Sequence, residues 1–384
     1  MKFAIITTSQ HDEWLEALGK AYKYDFYHCP SYHALSIQDS SQEAVLIVCT
    51  EGPYTIAIPL ILRPINEVEG LEEFSFRDAT SVYGCVGPVA SHEYIPESLI
   101  TEFHGILYNF LKESNVVCAF SRLHPLLAQK QLLAGLGDIV YMGETVSVDL
   151  TLPVNEQWSG YRNNHQQGIN RLRRMGVSCI HNNSDEYIDE FITIYLENMD
   201  RVNADDSYYF GENYFKGLIA ADDLDIHLFS CIYEGEVVSS VIFGLCCDIV
   251  QAHLGGAKGK FVRHSPMKLI FDEARIWANG IGAHFFHLGG GLGAKEDSIF
   301  HFKAGFSGNR HDFYVWRLIV DRYVYDMLCK KKGQWNRENE QEPITKTFFP
   351  DYRCPTSPAR QSSSQYNKFV LEGHGPKERG GCSV

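Results

Sequence analysis

The chain has 384 residues, and at roughly 150 residues per domain that length calls for two domains. Apolar residues make up 45% and charged residues 21%, which suits a soluble globular protein and excludes a fibrous or low-complexity one. Asp and Glu outnumber Lys and Arg 48 to 34, a formal charge of −14, so a polyanion would have to bind a local basic patch. Met1 to Ile6 reads as a strand too short for a signal peptide, and Asp12 to Leu18 as a helix capped by Asp12. Ala44 to Cys49 and Tyr54 to Leu62 read as strands separated by the turn signal Thr50-Glu51-Gly52-Pro53. A helix from about Glu97 to Lys112 follows, then strands at Val116 to Phe120 and Thr145 to Leu152.

The second half repeats this plan. Tyr187 to Met199 places Tyr187, Phe191, Ile194 and Tyr195 on one helix face. Leu228 to Tyr233 and Val237 to Leu245 form a hairpin around Glu234-Gly235-Glu236, and Ile249 to Leu254 continues the sheet. A helix from about Pro266 to Asn279 leads to a strand at Ala283 to Leu288. The shared order of hairpin, strand, helix and strand suggests one α/β module used twice. Domains are therefore expected at residues 1–152 and 153–354. Residues 355–384 are rich in Pro, Ser, Gly, Arg and Gln, have few large apolar side chains, and are expected to be disordered.

Eleven cysteines are an odd number, most lie in apolar runs, and no Cys-x-x-Cys pair occurs, so a reducing cytoplasm is expected. Cys246 and Cys247 fall in the strand reading and should point to opposite faces. No run approaches 18 apolar residues, so no membrane span is expected. No His-Glu-x-x-His, Gly-x-Ser-x-Gly or zinc cluster occurs, which removes support for metallohydrolase and serine-hydrolase readings. No metal is expected.

Charge is distributed unevenly. Residues 185–225 carry twelve Asp or Glu against two basic residues. Residues 151–175 carry Arg162, Arg171, Arg173 and Arg174 against Glu156 alone. On a helical wheel Trp158, Tyr161, Ile169 and Leu172 face a core while Arg162, Arg173 and Arg174 point away. That is either a solvated face or a phosphate-binding one, since Arg presents forked donors to phosphate oxygens. The most unusual stretch is His287-Leu288-Gly289-Gly290-Gly291, followed by His301-Phe302-Lys303-Ala304-Gly305-Phe306. Glycines at a strand end let a ligand approach the backbone and leave amides for oxyanions, although a Gly run by itself often marks only a turn.

Several of these pieces, in this order, resemble the FemA/FemB/FemX branch of the GNAT-like acyltransferases, which transfer amino acids from aminoacyl-tRNA onto peptidoglycan precursors. They are Asp78-Ala79-Thr80-Ser81-Val82-Tyr83-Gly84-Cys85-Val86-Gly87-Pro88, Arg174-Met175-Gly176-Val177 and Tyr214-Phe215-Lys216-Gly217-Leu218. Trp277 to Gly282, Leu288 to Gly291, Phe302 to Phe306 and Phe348 to Arg353 complete the set, over roughly residues 10–353. The resemblance implies two tandem GNAT-like α/β domains and an N-acyltransferase that makes an amide bond. It implies aminoacyl-tRNA as donor, an amine acceptor, and no cofactor.

Residue by residue, the Phe302-Lys303 pair matches the Phe-Lys pair beside the reacting ester, with Lys303 as oxyanion stabiliser and Phe302 shaping the ester pocket. Tyr214 matches an acceptor-site tyrosine. The sequence departs from the family in two places: Phe210 stands where an arginine four residues before that tyrosine is usual, and His253 replaces a tyrosine at the end of a sheet strand. Both count against a UDP-linked acceptor. Asp78 is a candidate for a base. Acyl-CoA is the rival donor, yet the place of the GNAT pyrophosphate loop holds Lys258-Gly259-Lys260-Phe261-Val262-Arg263-His264-Ser265-Pro266, with its glycines misplaced. A non-catalytic binding module on the same fold is the third reading.

Overall fold

Strands such as Ala44–Cys49 and Ile56–Leu62 are apolar at every position, so they need cover on both faces and cannot lie on an open surface. The computed structural model describes residues 1–37, 39–345 and 348–355, and shows how that cover is supplied. Most of the expected tail lies outside the described residues.

The first half runs β1 (Lys2–Thr7), α1 (His11–Gly19), α2 (Pro30–Ser36), β2 (Glu43–Glu51), β3 (Tyr54–Pro64), β4 (Arg77–Thr80) and β5 (Val89–Ala90). It continues through α3 (Glu97–Glu113), β6 (Val116–Arg122), α4 (Lys130–Leu133) and β7 (Asp138–Asp149). The second half runs α5 (Val154–Ser159), α6 (Asn163–Arg174), β8 (Ser178–His181), α7 (Asp185–Val202), α8 (Glu212–Ala220), β9 (Asp225–Tyr233) and β10 (Glu236–Cys246). It ends with β11 (Ile249–Ala257), α9 (Met267–Gly280), β12 (Phe285–Gly289), α10 (Ser298–Lys303), β13 (Asn309–Ile319) and α11 (Arg322–Glu338).

The strands form one mixed sheet in the order β1-β2-β3-β4-β6-β13-β7-β12-β11-β10-β9-β8, with β5 on β3. Each half contains an antiparallel hairpin, a third strand, a crossover helix and a strand parallel to the third: β4 with β6 through α3, and β11 with β12 through α9. The parallel pairs need the helices, because a tight turn cannot join parallel strands. The α/β class and the repeated plan expected from the sequence are both present. At the centre the halves exchange strands. β7, from the first half, pairs with β12, and β13, from the second, inserts between β6 and β7.

Helix α3 lays Phe103, Leu107 and Leu111, spaced four apart, into a core with Val45, Ile47, Ile58 and Leu60. Helices α6 and α9 cover β7, β10 and β12 through Ile169, Leu172, Leu269, Ile270 and Phe271. A third core crosses the halves: Trp14, Phe26, Tyr27 and Tyr32 pack with Phe191, Tyr195, Tyr214 and Phe215.

Several local expectations change. Cys246 closes β10, but Cys247 sits in the turn at φ 52°, so the two do not alternate along a strand. The strand expected at 145–152 begins at Asp138, and β13 with α11 was not foreseen. Among the described residues the cysteines are free, no group of three or more His, Cys, Asp or Glu is placed to hold a metal, and no helix is long and apolar enough to cross a membrane.

Candidate functional site

Strands β6 and β12 run in opposite directions on either side of the β13–β7 pair, so their C-terminal ends approach each other. Arg122 lies opposite Val315, which pairs with Val140, while Gly289 lies opposite Val146 further along β7. The His124 and His287 rings, one from each end, are 5.6 Å apart. A ligand at the mouth of either parallel pair therefore meets side chains from both halves.

The Gly run closes β12 on the second-half side. Gly289 has φ +77°, a conformation that other residues adopt at a cost. A Cβ on Gly291 would lie 2.0 Å from the Lys295 carbonyl oxygen and would collide with the Asp297 carboxylate, so this position has no room for a side chain. Asp297 accepts from the Leu292 and Phe300 amides at 3.0 and 2.9 Å, which fastens the loop and caps α10 together. Lys303, at the other end of α10, donates from Nζ to the Gly290 carbonyl at 2.7 Å. The structure thus brings Lys303, Gly289, Gly290 and Gly291 together. Burial pushes the Lys303 ammonium down to about 8, opposed by the Asp297 carboxylate and the Cys85 thiol.

Phe302 faces a different way. Its ring packs on His165, Phe271 and Phe306 in the second-half core, and its carbonyl accepts from His165 Nε2 at 2.9 Å. Its visible contribution is to fix the position of α10, and hence of Lys303. His165 was missed from the sequence, where one histidine among sixteen carries no signal.

Tyr214 and His253 also come together. Tyr214 Oη lies 3.1 Å from His253 Nε2 and donates to Tyr32 Oη at 3.3 Å, and Tyr32 Oη donates to the Tyr83 carbonyl at 2.9 Å. With the Tyr214 proton committed to Tyr32, His253 donates from Nε2 and accepts from Tyr27 Oη at Nδ1, 3.3 Å away. Burial pulls the His253 pKa down to about 3, so it is neutral. Phe210 stacks on Tyr214, with centroids 4.4 Å apart, and meets Tyr83 edge-on. The place of the missing arginine is therefore filled by an aromatic wall.

The basic helix is only partly as expected. Arg162, the N-cap of α6, and Arg174 are exposed, and they donate to the backbone oxygens of His301 and Asn170. Arg173 is exposed but engaged, with Nη2 2.8 Å from Asp272 and 2.6 Å from Glu273. Lys258 and Lys260 are bound by Glu190 and Glu236. The Gly259 amide, where a pyrophosphate loop would offer a donor, is taken by Glu197 at 2.7 Å. Arg171, Arg263, His264 and Lys268 gather instead near the start of α9. Burial lowers the Lys268 and His264 pKa values, and neighbouring arginines lower them further.

Asp78 is not placed as a base. It is fully buried, pairs with Arg63 at 2.8 Å and with Arg353, and accepts from Tyr352 Oη at 3.2 Å. It fastens the end of the described chain to β3 and β4.

No family model and no curated protein sequence matches the chain. Among solved structures, FemX aligns over 85% of this chain and 99% of its own, with a TM-score of 0.63 at 12% identity. The chain has the FemX fold. L-PGS from Bacillus licheniformis aligns over 84% of this chain and 96% of its own (TM-score 0.51, 14% identity). A conserved protein of unknown function from Bacteroides thetaiotaomicron aligns over 83% and 99% (TM-score 0.51, 11% identity).

Proposed function

We propose that the chain is a cytoplasmic N-acyltransferase that makes an amide bond, with aminoacyl-tRNA as donor and a small-molecule or peptidyl amine as acceptor. The observation that carries this reading is Lys303: a half-buried ammonium held on a glycine carbonyl at the end of β12, in the FemX fold. When the amine nitrogen attacks the ester carbonyl, a C–N bond forms and negative charge collects on the carbonyl oxygen. An ammonium fixed beforehand stabilises that oxyanion more than the neutral ester, which lowers the barrier. Collapse breaks the ester C–O bond. The 3′ oxygen leaves as the hydroxyl, taking up the proton that the attacking nitrogen gives up as the amide forms.

Glu197 on the Gly259 amide and the ion-paired Lys258 and Lys260 support tRNA over CoA, because the donors a pyrophosphate needs are already occupied. Arg162, Arg174 and the Arg171–Lys268 group are the proposed contacts for phosphates of the acceptor end. The test compares a charged tRNA pool with an acyl-CoA panel, with modified amines read by mass spectrometry. Amide formation from charged tRNA without CoA is expected, and its rate should fall with salt as the few phosphate contacts weaken. Turnover from acyl-CoA alone would replace the donor. No turnover with either, together with ligand binding, would favour the binding-module reading.

A further inference from the structure

The arginines around the site differ in what they hold. Arg173, Arg275, Arg63 and Arg353 each meet a buried aspartate. Arg122 does not. It ends β6 at the mouth of the first parallel pair, its amide donates to Ser81 Oγ, and its carbonyl accepts from Val86. Its guanidinium lies 5.3 Å from the centre of the Phe120 ring, and no carboxylate lies within 4 Å of it among the described residues. Although the chain is acidic, this half-buried arginine is left without a carboxylate.

Aromatic side chains lie beside it: its amide bonds the loop that carries Tyr83, and its charge acts on the phenols of Tyr83 and Tyr208. Tyr83 and Tyr208 meet edge-on at 5.9 Å, and Phe210 and His253 pack on Tyr83 at 5.7 and 5.8 Å. Cys85, on the same loop as Tyr83, senses two cations: burial pushes its thiol up to about 12, against the pull of Arg122 and Lys303. Arg122 and Lys303 therefore flank one loop, one cation from each half.

We propose that Arg122 anchors an anionic group, carboxylate or phosphate, on the amine acceptor, whose body lies against Tyr83, Tyr208 and Phe210 with its nitrogen toward Lys303. This rests on the acyltransferase reading and narrows its acceptor class. The guanidinium offers two parallel donors to either anion, and the aromatic wall favours the chain that joins the anion to the amine. It also supplies a cation on the acceptor side, where Phe210 supplies none.

Calorimetric titration with three amines of similar length tests the assignment without any turnover. β-Alanine carries a carboxylate, phosphoethanolamine a phosphate, and β-alaninamide neither. The folded wild type is expected to bind at least one of the anionic amines about tenfold or more tighter than the amide, consistent with one charge-assisted contact. The tighter of the two names the anion. Arg122→Gln abolishes the preference, Arg122→Lys retains part of it, and the exposed Arg337→Gln leaves it intact. Lys303→Met retains the preference even when turnover is lost, which separates this proposal from the catalytic one. Equal binding of all three amines by the wild type overturns it, as does a preference that survives Arg122→Gln. If Arg122→Gln does not fold, Arg122→Lys decides: an anion affinity equal to wild type overturns the anchor.

Discussion

Replacing Lys303 by methionine should make the protein more stable and nearly inactive. Burial holds the ammonium at about 8 against its ordinary 10.5. At ~1.36 kcal/mol per pH unit of displacement, keeping that charge inside costs roughly 3 kcal/mol at neutral pH. Methionine keeps the stem and removes the cost, but it gives up the bond to Gly290, worth about 1 kcal/mol. The net expectation is a gain of roughly 2 kcal/mol at pH 7 by urea denaturation. The sign follows from linkage. The unfolded state binds the proton more tightly, so wild-type stability rises from about pH 8 toward 10.5, and the advantage of the variant shrinks over the same window. Activity moves the other way. Loss of one oxyanion donor lowers kcat by about 10²–10³ with little change in KM. Wild-type kcat should also fall above about pH 8 as the ammonium deprotonates, a limb the variant lacks. A Lys303→Met protein that turns over within a few-fold of wild type would mean that Lys303 is not the oxyanion donor, and one that is less stable at pH 7 would mean that it is not a costly buried charge.

Asp78→Asn leaves Arg63 and Arg353 beside a neutral amide in a buried site, and should cost about 3–5 kcal/mol in chemical denaturation; an unchanged midpoint would show that the triad is solvated. Arg162→Gln with Arg174→Gln should leave the melting temperature unchanged and raise KM for the tRNA donor, whereas an unchanged KM makes these residues a solvated face. Arg173→Gln should instead lower stability by up to about 1 kcal/mol, because the pair with Asp272 is half exposed. Residues 1–152 and 153–354 expressed separately should each be insoluble or molten, and circular dichroism should show folding only on mixing, since β7 and β13 complete each other's halves. A stable, cooperative 1–152 fragment would contradict the exchange.

The α/β class, the repeated hairpin-strand-helix-strand plan and the Gly run followed by Lys303 are legible in the chain itself. Each is written locally, in apolar runs bounded by turns, in four-residue spacing on α3 and α7, and in glycines where side chains do not fit. The strand exchange was not legible, because β13 begins Asn309-Arg310-His311-Asp312 and shows its apolar face only from Phe313 onward. Which cations are paired with carboxylates depends on long-range packing. Arg162, Arg173 and Arg174 look alike on a helical wheel, yet Asp272 and Glu273, a hundred residues away, occupy one of them. Arg122 gave no signal at the end of an ordinary strand. Its role depends on β6 and β12 running toward each other across the exchanged strands, and the pairing that brings them there is between residues distant in the chain.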